Sequence, residues 1–453
     1  MKTKIAAIIL VILAAAGAGV LLLSAQDIRG NIVTTERPAI ALIDFRGSGA
    51  AQSVMDPFNQ TLWDELAGSG VLTMVSKSLY PLNVPQQPQD FHPPAAGRSN
   101  GPWLTDWSNP PVSANYLAFG YTAVQNDQLV LRGWLFNLAQ SDLVSAQVIG
   151  KLYFGSVDAE GAKKVAREFA ADILQQFGAK SLAGTKIYFV SDRTRSKEIW
   201  SMDYDGSNQR QLTRYNSISE MPAVSPDGKL VAFTTWAQGN PKIMILSTET
   251  DRRMPFYNPV SSVVETPEFT PDGRRILFSA AIDGWTQICE ANVNGSDMRR
   301  ISHVRTIEVS AKVNPKNPNQ VLFISGRSGH QQLWMMNADG GDLEMLTSGE
   351  GDVSNPSWSP NGQFIAFAWT RGYEIGGFNI FVMDVAKRVP VQLTHANGRN
   401  ENPWWAPDGM HLVFSVKRGS VTQIYTMLAD GTHVEQLTTR GNNLQPVWGK
   451  GIN

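Results

Sequence analysis

The chain has 453 residues, of which 42% are apolar and 17% charged, a composition typical of folded proteins and not of disordered ones. This length exceeds that of one ordinary domain, so two domains are expected. The formal net charge of −1, without a basic excess, argues against a nucleic-acid-binding protein.

The N-terminus has the layout of a secretory signal. Lys2 and Lys4 precede an uncharged apolar run over residues 5–23, and small residues up to Ala25 offer a cleavage site. A signal peptide over residues 1–25 is therefore predicted, with an uncleaved anchor as the alternative because the run reaches membrane-spanning length. Either way, the remaining chain is predicted to lie outside the cytoplasm. Residues 26–37 are short and poor in apolar side chains, which predicts a mobile N-terminal arm.

A two-layer α/β domain is predicted over residues 38–180. A strand at 40–45, a helix at 55–66 with apolar residues on one face, and a strand at 71–75 indicate a βαβ opening. Residues 81–111 contain eight prolines and are expected to form an extended loop. Three strands and an amphipathic helix complete the domain before a linker to Thr185. They are placed at 116–124, 129–138 and 146–154, with the helix capped by Asp158 and ending near Gly178.

Residues 186–450 contain repeats that predict a β-propeller. A motif of the form Pro-x-x-x-Pro-(Asp/Asn)-Gly begins at residues 222, 267, 356 and 403, with a degenerate copy at Ala311 and a truncated one at Pro446. These turns, and Asp-Gly turns in the other half of most units, join short apolar runs as hairpins. Two hairpins in each repeat make four strands, which is one blade.

The ends of this region predict how the ring closes. The first unit starts at Lys186 without its inner strand, and residues 445–448 near the C-terminus supply such a strand. Pairing of the two would close six blades and leave no exposed sheet edge. The predicted fold class is therefore multidomain: an N-terminal α/β two-layer domain followed by an all-β six-bladed propeller of WD40-like repeats, closed by the C-terminal strand.

No catalytic pattern is found in the sequence. Gly-x-Ser-x-Gly and His-Glu-x-x-His are both missing, and the six histidines are scattered, so we predict no enzyme, no metal and no cofactor. Asp203 and Asp205 could ligate calcium, but a plain turn is the simpler interpretation. Cys289, the only cysteine, is interpreted as a buried strand residue, with a reactive thiol as the alternative.

The segments before each inner strand are predicted to form loops that ring one mouth of the central channel. They contain acidic and polar residues, namely Glu220, Met221, Glu265, Thr266, Glu308, Ser310, Asp352, Asn355, Glu401, Asn402 and Gln445. An acidic ring suits a protein partner with a basic or amide-rich surface, whereas the alternative is a solvated collar of loops. A monomer without a small-molecule substrate is predicted.

Several segments resemble the TolB family of the Tol–Pal envelope system. They are the strand at 40–45, the helix end at 65–70, the strand at 116–120, the segment 186–192, and the order of α/β domain, propeller and closing Pro-x-Trp. The resemblance covers nearly all of the chain after the signal. It implies a periplasmic scaffold without catalytic activity that supports outer-membrane integrity and cell division.

The resemblance also implies two protein partners. The propeller mouth would hold the globular domain of Pal, the peptidoglycan-associated lipoprotein, mainly through Glu265, Thr266, Val309 and Ser310. The arm would be offered to TolA, an inner-membrane protein, through Gln26, Asp27, Ile28, Arg29 and Val33. The proline-rich segment and the degenerate strand at Ala311 depart from the family pattern. An exported propeller that binds peptides or glycans is the alternative.

Overall fold

The computed structural model describes residues 37–94, 101–371, 377–395 and 398–450. The predicted signal peptide and the arm residues Gln26, Asp27, Ile28, Arg29 and Val33 lie outside these ranges. The described chain folds into two compact units that adjoin in sequence at residues 183 and 184. A search of the described helices finds none that has both the length and the apolar character to cross a membrane.

The N-terminal unit is built on a six-stranded sheet of order β3-β1-β4-β5-β6, with β2 also paired to β4. Its strands are β1 (Ala39–Leu42), β2 (Arg46–Gly47), β3 (Thr73–Met74), β4 (Tyr116–Gln125), β5 (Gln128–Asn137) and β6 (Gln147–Gly155). Its helices are α1 (Met55–Gly68), α2 (Thr105–Ser108), α3 (Leu143–Ala146) and α4 (Ala159–Gln176). β1 runs parallel to β3 and β4, which confirms the predicted βαβ opening.

Helices α1 and α4 cover one face of this sheet. Asp158 is the N-cap of α4, and its carboxylate accepts the Gly161 N–H at 2.7 Å, which satisfies a free donor of the first turn. Phe169 of α4 is fully buried, and its ring lies against Gly133 of β5. A Cβ atom at Gly133 would come within 3.0 Å of that ring, so the close approach of helix and sheet requires glycine there.

The described part of the proline-rich segment is largely irregular, as predicted, but it includes the short helix α2 and packs over the opposite face of the sheet. Phe91, Leu104 and Trp107 are all buried. The Phe91 ring packs against Phe119 and Phe136 of the sheet, with centroids 5.4 and 5.7 Å apart. Both faces of the sheet carry large apolar side chains, and the second face would remain in water without this segment. Burial of apolar area therefore overrides the open conformation that the prolines suggest.

Six four-stranded antiparallel sheets follow, one for each predicted repeat. Blade 1 contains β7 (Lys186–Ser191), β8 (Glu198–Asp203), β9 (Arg210–Gln211) and β30 (Asn443–Gly449). Blade 2 contains β10 (Ser219–Val224), β11 (Leu230–Thr235), β12 (Lys242–Ser247) and β13 (Arg253–Met254), and blade 3 contains β14 (Val264–Phe269), β15 (Arg275–Ile282), β16 (Trp285–Asn292) and β17 (Arg299–Arg300). Blade 4 contains β18 (Glu308–Val313), β19 (Gln320–Ser328), β20 (His330–Asn337) and β21 (Glu344–Met345). Blade 5 contains β22 (Val353–Trp358), β23 (Phe364–Trp369), β24 (Asn379–Asp384) and β25 (Pro390–Gln392), and blade 6 contains β26 (Arg399–Trp405), β27 (His411–Arg418), β28 (Val421–Leu428) and β29 (Glu435–Gln436).

The last strand closes the ring as predicted. β30 pairs with β7 in antiparallel register. Side chains reinforce the seam: the Asn442 amide donates to the Asp192 carboxylate at 2.8 Å, and Arg193 donates to the Asn443 amide oxygen at 2.9 Å. Blade 1 therefore joins the two ends of the propeller sequence, and the six-bladed fold is confirmed.

Three of the Pro-(Asp/Asn)-Gly turns are held by the hydroxyl three residues after the motif proline, whereas blade 6 has Ala406 at that position. The Ser225 hydroxyl accepts the Leu230 N–H at 2.9 Å and donates to the Asp227 carboxylate at 2.6 Å. That donated hydrogen bond lowers the pKa of the Asp227 carboxyl. Thr270 and Ser359 make the same two contacts in their blades. These contacts are local, which explains why the motif is visible in the sequence.

A buried polar latch holds the outer strand of five blades. A Thr or Ser hydroxyl accepts a third-strand N–H at 2.8–2.9 Å and donates to a Glu, Gln or Asn side chain of that strand. The pairs are Thr213 with Glu198, Ser302 with Gln287, Thr347 with Gln332, Thr394 with Asn379, and Thr438 with Gln423. Blade 2, irregular in sequence, uses Asn258 for the same N–H contact.

Replacing Thr438 with valine is expected to lower the free energy of unfolding by about 1–3 kcal/mol, because the Ile424 N–H and the Gln423 side chain lose a buried partner. Urea denaturation measures the change. Thr439→Val is the matched control, since Thr439 is exposed and its replacement should cost less than about 0.5 kcal/mol. Equal effects of the two substitutions would contradict a role for the latch.

Candidate partner-binding site

Each inner strand contains a β-bulge at the position of the motif proline. The register shifts there, for example between Glu220 and Ala223 in β10. One non-glycine residue in each bulge has a positive φ of 51–59°: Met221, Thr266, Ser310, Asn355, Asn402 and Gln445. Such angles are uncommon outside glycine and persist only where the surroundings impose them. Their recurrence in all six inner strands makes them a regular feature of the propeller.

The predicted mouth residues other than Asp352 therefore lie within strands, so their assignment to loops was wrong, whereas Asp352 directly precedes β22. Glu220, Glu265 and Glu401 pair across the ladder with Thr234, Ser279 and Ser415. Proline cannot donate an N–H to a sheet, and the bulge lets the strand begin before the proline without a ladder hydrogen bond at that point. Sequence patterns place the turn after the proline but do not reveal the strand before it.

The six bulge residues converge on one cavity of about 120 Å³ that all six inner strands line. We call this cavity, with the six bulge residues, Lys312 and Trp404, the funnel. Its wall carries hydroxyl and amide groups from Thr266, Ser310, Asn355, Asn402 and Gln445. The Met221 N–H donates to the Gln445 side chain at 2.7 Å, which links blade 2 to the closing strand. The funnel is thus a preformed polar cavity on the propeller axis.

Val309 does not join this set. It lies in β18, half-buried, and packs against the apolar core between blades 4 and 5. The cavity lining includes its neighbour Ser310 and not Val309. The alternation of side chains along the strand turns these two residues to different surroundings.

A charged pair and an aromatic ring from three different blades meet in the funnel. Lys312 of blade 4 forms an ion pair with Glu268 of blade 3, and their side chains are only 14% and 16% exposed. The Lys312 ammonium also lies 4.3 Å from the centroid of a Trp404 ring of blade 6. Burial raises the pKa of the Glu268 carboxyl, and the positive charge of Lys312 opposes that shift.

This group was not predicted, because residues 311–316 match the repeat motif only as a degenerate copy. A signal was available: Glu268 and Lys312 both directly follow the motif proline position of their repeats. A repeat places equivalent residues at equivalent positions in neighbouring blades. Opposite charges at one repeat position therefore predict an ion pair between the two blades. Trp404 occupies the same position in its own repeat.

The mouth is less acidic than its carboxylates suggested. Glu220 pairs with Lys197, and Glu401 pairs with Arg399 at 2.7 Å. Glu308 is fully buried and paired with Arg327, so its inclusion in an exposed acidic ring was wrong. Lys197 and Arg327 lie on a neighbouring turn and a neighbouring strand, whereas Arg399 lies two residues before Glu401 in β26. Pairing of this kind removes most of the expected negative field.

Glu265 is the exception among these carboxylates. It is half-buried and has no ion-pair partner among the described residues. Burial, and then the negative charge of Glu220, raise the pKa of the Glu265 carboxyl. A half-buried carboxylate without a counterion is a ready acceptor for a cation or amide donor. Glu265 is thus the half-buried carboxylate of the mouth that lacks a counterion, whereas Asp352 is exposed and lies 3.4 Å from His330.

The other residues that the sequence offered as candidate sites, Asp203, Asp205 and Cys289, make contacts typical of turns and of a buried strand. Asp203 accepts from Lys186 at 2.6 Å and Asn208 at 2.7 Å, and Asp205 accepts the Ser207 N–H at 3.0 Å, as turn residues do. Over the described ranges, no group of three or more His, Cys, Asp or Glu residues is arranged to hold a metal ion. Cys289 is buried in β16 as predicted, and burial raises the pKa of its thiol to about 12.

Comparison with known proteins agrees with this architecture. The family profile described as "TolB beta propeller domain" matches residues 175–375 and 346–451. A protein named "Protein TolB homolog" from Chlorobium chlorochromatii is 31% identical over 266 residues, which cover 57% of this chain and 47% of that relative. A protein of the same name from Chlorobium luteolum is 29% identical over 239 residues, covering 52% and 43%. The match thus spans about half the length of these curated relatives.

A shorter match and a solved structure extend the comparison. The "Tol-Pal system protein TolB" of Desulfosudis oleivorans is 30% identical over 147 residues, which cover 32% of each chain. The crystal structure of TolB from Acinetobacter baumannii superposes with a TM-score of 0.71 and 19% identity, covering 91% of this chain and 97% of that one. The structure shows a shared fold, and the family profile covers more than half of the residues. The chain therefore belongs to the TolB family.

Proposed function

We propose that this protein is a periplasmic scaffold of a Tol–Pal system that acts by binding and not by catalysis. Its funnel would hold the globular domain of a Pal-like peptidoglycan-associated lipoprotein, and its N-terminal arm would bind a TolA-like inner-membrane protein. The name of the Desulfosudis oleivorans relative supports membership of the system. Export through the predicted N-terminal signal would place the protein in the periplasm, where such a scaffold supports outer-membrane integrity and cell division.

The observation that carries the proposal is the uncompensated Glu265 beside a preformed funnel. Six bulges fix the wall of the cavity before any partner arrives, so binding there requires little ordering. A lysine, arginine or amide group of the partner would give Glu265 the donor that it lacks within the described chain. Lys312 and Glu268 neutralise each other, which suits a supporting role in the funnel.

Calorimetric titration of residues 26–453 with the soluble domain of the Pal-like protein from the same genome tests the proposal. One-to-one binding with micromolar or tighter affinity is expected. Absence of binding in a folded sample would refute the proposed partner. Binding of peptides or glycans in the same assay would then favour the alternative of an unrelated exported propeller.

Glu265→Gln is expected to weaken this complex about tenfold, or about 1.4 kcal/mol, because the charge that attracts the partner's donor is lost. Binding should also weaken as the pH falls. A cationic donor binds the ionised carboxyl better than the protonated one, so affinity is lost as Glu265 takes up a proton. Because the pKa of Glu265 is raised, this loss occurs at a higher pH than it would for an ordinary Glu.

Glu249→Gln is the matched control for this substitution. Glu249 is exposed in the turn that joins β12 to β13, at the opposite end of the strands from Glu265. The control should leave both affinity and its pH dependence unchanged. Equal weakening by both substitutions would contradict a specific role for Glu265.

The arm is tested separately. Deletion of residues 26–37, which contain Gln26, Asp27, Ile28, Arg29 and Val33, is expected to abolish binding to the TolA-like domain while leaving the Pal-like domain bound. Retention of the TolA-like partner by the shortened protein would refute the proposed role of the arm. A synthetic peptide of residues 26–37 should bind that domain alone.

A further inference from the structure

Five exposed cations lie close together where blades 6 and 1 meet. We call Arg195, Arg214, Lys417, Arg418 and Arg440 the basic sector. All five are exposed, and none has an ion-pair partner among the described residues. Several other cations of the propeller face a carboxylate, as Lys197, Arg327 and Arg399 do. Five unpaired cations on neighbouring loops form a local concentration of positive charge in a chain whose net charge is −1.

Hydrogen bonds show that the loops carrying these cations are contiguous. The Asn442 amide oxygen accepts the Thr422 N–H at 3.0 Å, and its amide nitrogen donates to Asp192 at 2.8 Å. Asn442 thus joins the β27–β28 hairpin, which carries Lys417 and Arg418, to the loop after β7, which carries Arg195. Arg440 lies two residues before Asn442 in sequence.

The fifth cation is joined to the same surface. The Gln211 amide donates to the Thr194 hydroxyl at 3.2 Å and to the Thr213 carbonyl at 2.8 Å. This side chain places Arg214 beside the loop of Arg195. The positive charge of Arg440 also reaches Arg193, where burial first and Arg440 second lower the pKa of the guanidinium. The sector is one connected patch of positive charge.

The basic sector lies on the same end of the propeller as the funnel mouth. Lys417 pairs with Arg399, the first residue of inner strand β26, and Arg440 precedes β30 by two residues. Arg214 lies in the segment that leads to β10, which carries Glu220 and Met221 near its start. A protein seated on the funnel would extend over this sector.

The spread of the charges indicates the kind of ligand. Five cations distributed over two blades match a run of several carboxylates better than one compact phosphate. Four of the five are arginines, whose planar guanidinium groups pair with carboxylates through two parallel hydrogen bonds. A second copy of the same face would bring like charges together, which disfavours a face-to-face dimer.

We propose that the basic sector binds an acidic segment of the protein partner that occupies the funnel. The inference deepens the proposed function and depends on it for the choice of a protein as the occupant. The partner surface is then bipolar: a basic or amide donor meets Glu265 on blade 3, and a group of acidic side chains meets blades 6 and 1. This polarity fixes the rotation of the partner about the propeller axis, since a six-bladed ring alone would leave that rotation weakly defined.

A fluorescent decaglutamate peptide tests the sector without the partner. Its anisotropy is measured with residues 26–453 at about 20 and about 150 mM salt, where screening lengths differ by more than twofold. Saturable binding that weakens with salt is expected. The variant Arg195→Glu/Arg418→Glu/Arg440→Glu should bind at least about tenfold more weakly, because each reversal replaces attraction with repulsion.

The control Lys229→Glu/Arg274→Glu/Lys316→Glu changes the net charge by the same amount. Its three residues are exposed at the opposite end of the strands, in and beside the turns that follow the inner strands. Decaglutamate affinity should stay within about twofold of the parent, and thermal unfolding should confirm that both variants are folded. Equal weakening by the two triple variants would overturn the proposal, as would equal affinity of the sector variant and the parent.

Two further measurements distinguish the possible sources of the anionic groups. The choice of an acidic protein segment would be overturned if the basic sector bound polyphosphate of matched charge, or phosphatidylglycerol vesicles, more tightly than decaglutamate. Glu265→Gln should leave decaglutamate binding intact. Binding of decaglutamate, but not of the Pal-like domain, by the parent protein would refute the proposed function alone.

Discussion

Replacing Lys312 with methionine is expected to destabilise the propeller by about 3–5 kcal/mol, because the substitution leaves the Glu268 carboxylate buried without its counterion. Loss of the contact with the Trp404 ring adds to this effect. Urea denaturation followed by tryptophan fluorescence measures the free energy of unfolding. A loss below about 1 kcal/mol would contradict a buried, interdependent pair.

A double substitution provides the control for this prediction. Glu268→Leu combined with Lys312→Met removes both charges, and replacement of a buried ion pair by apolar residues is often nearly neutral. The double variant should therefore recover most of the stability that Lys312→Met loses. Equal losses in the single and double variants would mean that packing, and not the unpaired charge, causes the effect.

The pH dependence of the Lys312→Met variant gives an independent check. Burial already raises the pKa of Glu268, and removal of the ammonium removes the main opposing influence. A carboxyl with a raised folded-state pKa stabilises the folded state most below its unfolded pKa, and this contribution is lost as the pH rises through the folded value. The deficit of the variant should consequently grow from acidic to neutral pH.

Removal of the closing strand is expected to have the second large effect. A chain that ends at residue 441 lacks β30, which buries Val447 and Trp448 and pairs with β7. The truncation exposes the edge of β7 and removes the inner strand of blade 1. The propeller should lose its cooperative unfolding transition, because the free energy lost with these contacts is comparable to the whole free energy of unfolding of a typical domain, about 5–15 kcal/mol.

Circular dichroism during heating and limited proteolysis measure this loss. A chain that ends at Lys450 is the control and should unfold like the parent, because β30 ends at Gly449. Addition of a synthetic peptide of residues 442–453 to the truncated chain should restore protease resistance through the β7 edge. Unchanged cooperativity of the chain ending at 441 would contradict closure by β30.

The internal repeat alone determined the number of blades and the way in which the ring closes. Pro-Asp-Gly turns depend on contacts within a few residues, such as the Ser225 hydroxyl with Leu230 and Asp227, so their chemistry is visible in a linear sequence. The closing strand was found because the repeats at Lys186 and Pro446 each lack what the other supplies. The helix cap at Asp158 was predicted for the same reason, because its hydrogen bond to Gly161 lies within three residues.

Only the tertiary structure decided which charges are free. Glu220 and Glu265 each directly precede the positive-φ residue of their bulge, yet the first pairs with Lys197 and the second has no counterion among the described residues. Lys312, Glu268 and Trp404 come from three blades, and the basic sector joins residues more than 200 positions apart across the closing seam. A repeat motif specifies each blade, but pairing of charges depends on the side chains that neighbouring blades present to each other, and that arrangement exists only once the ring has closed.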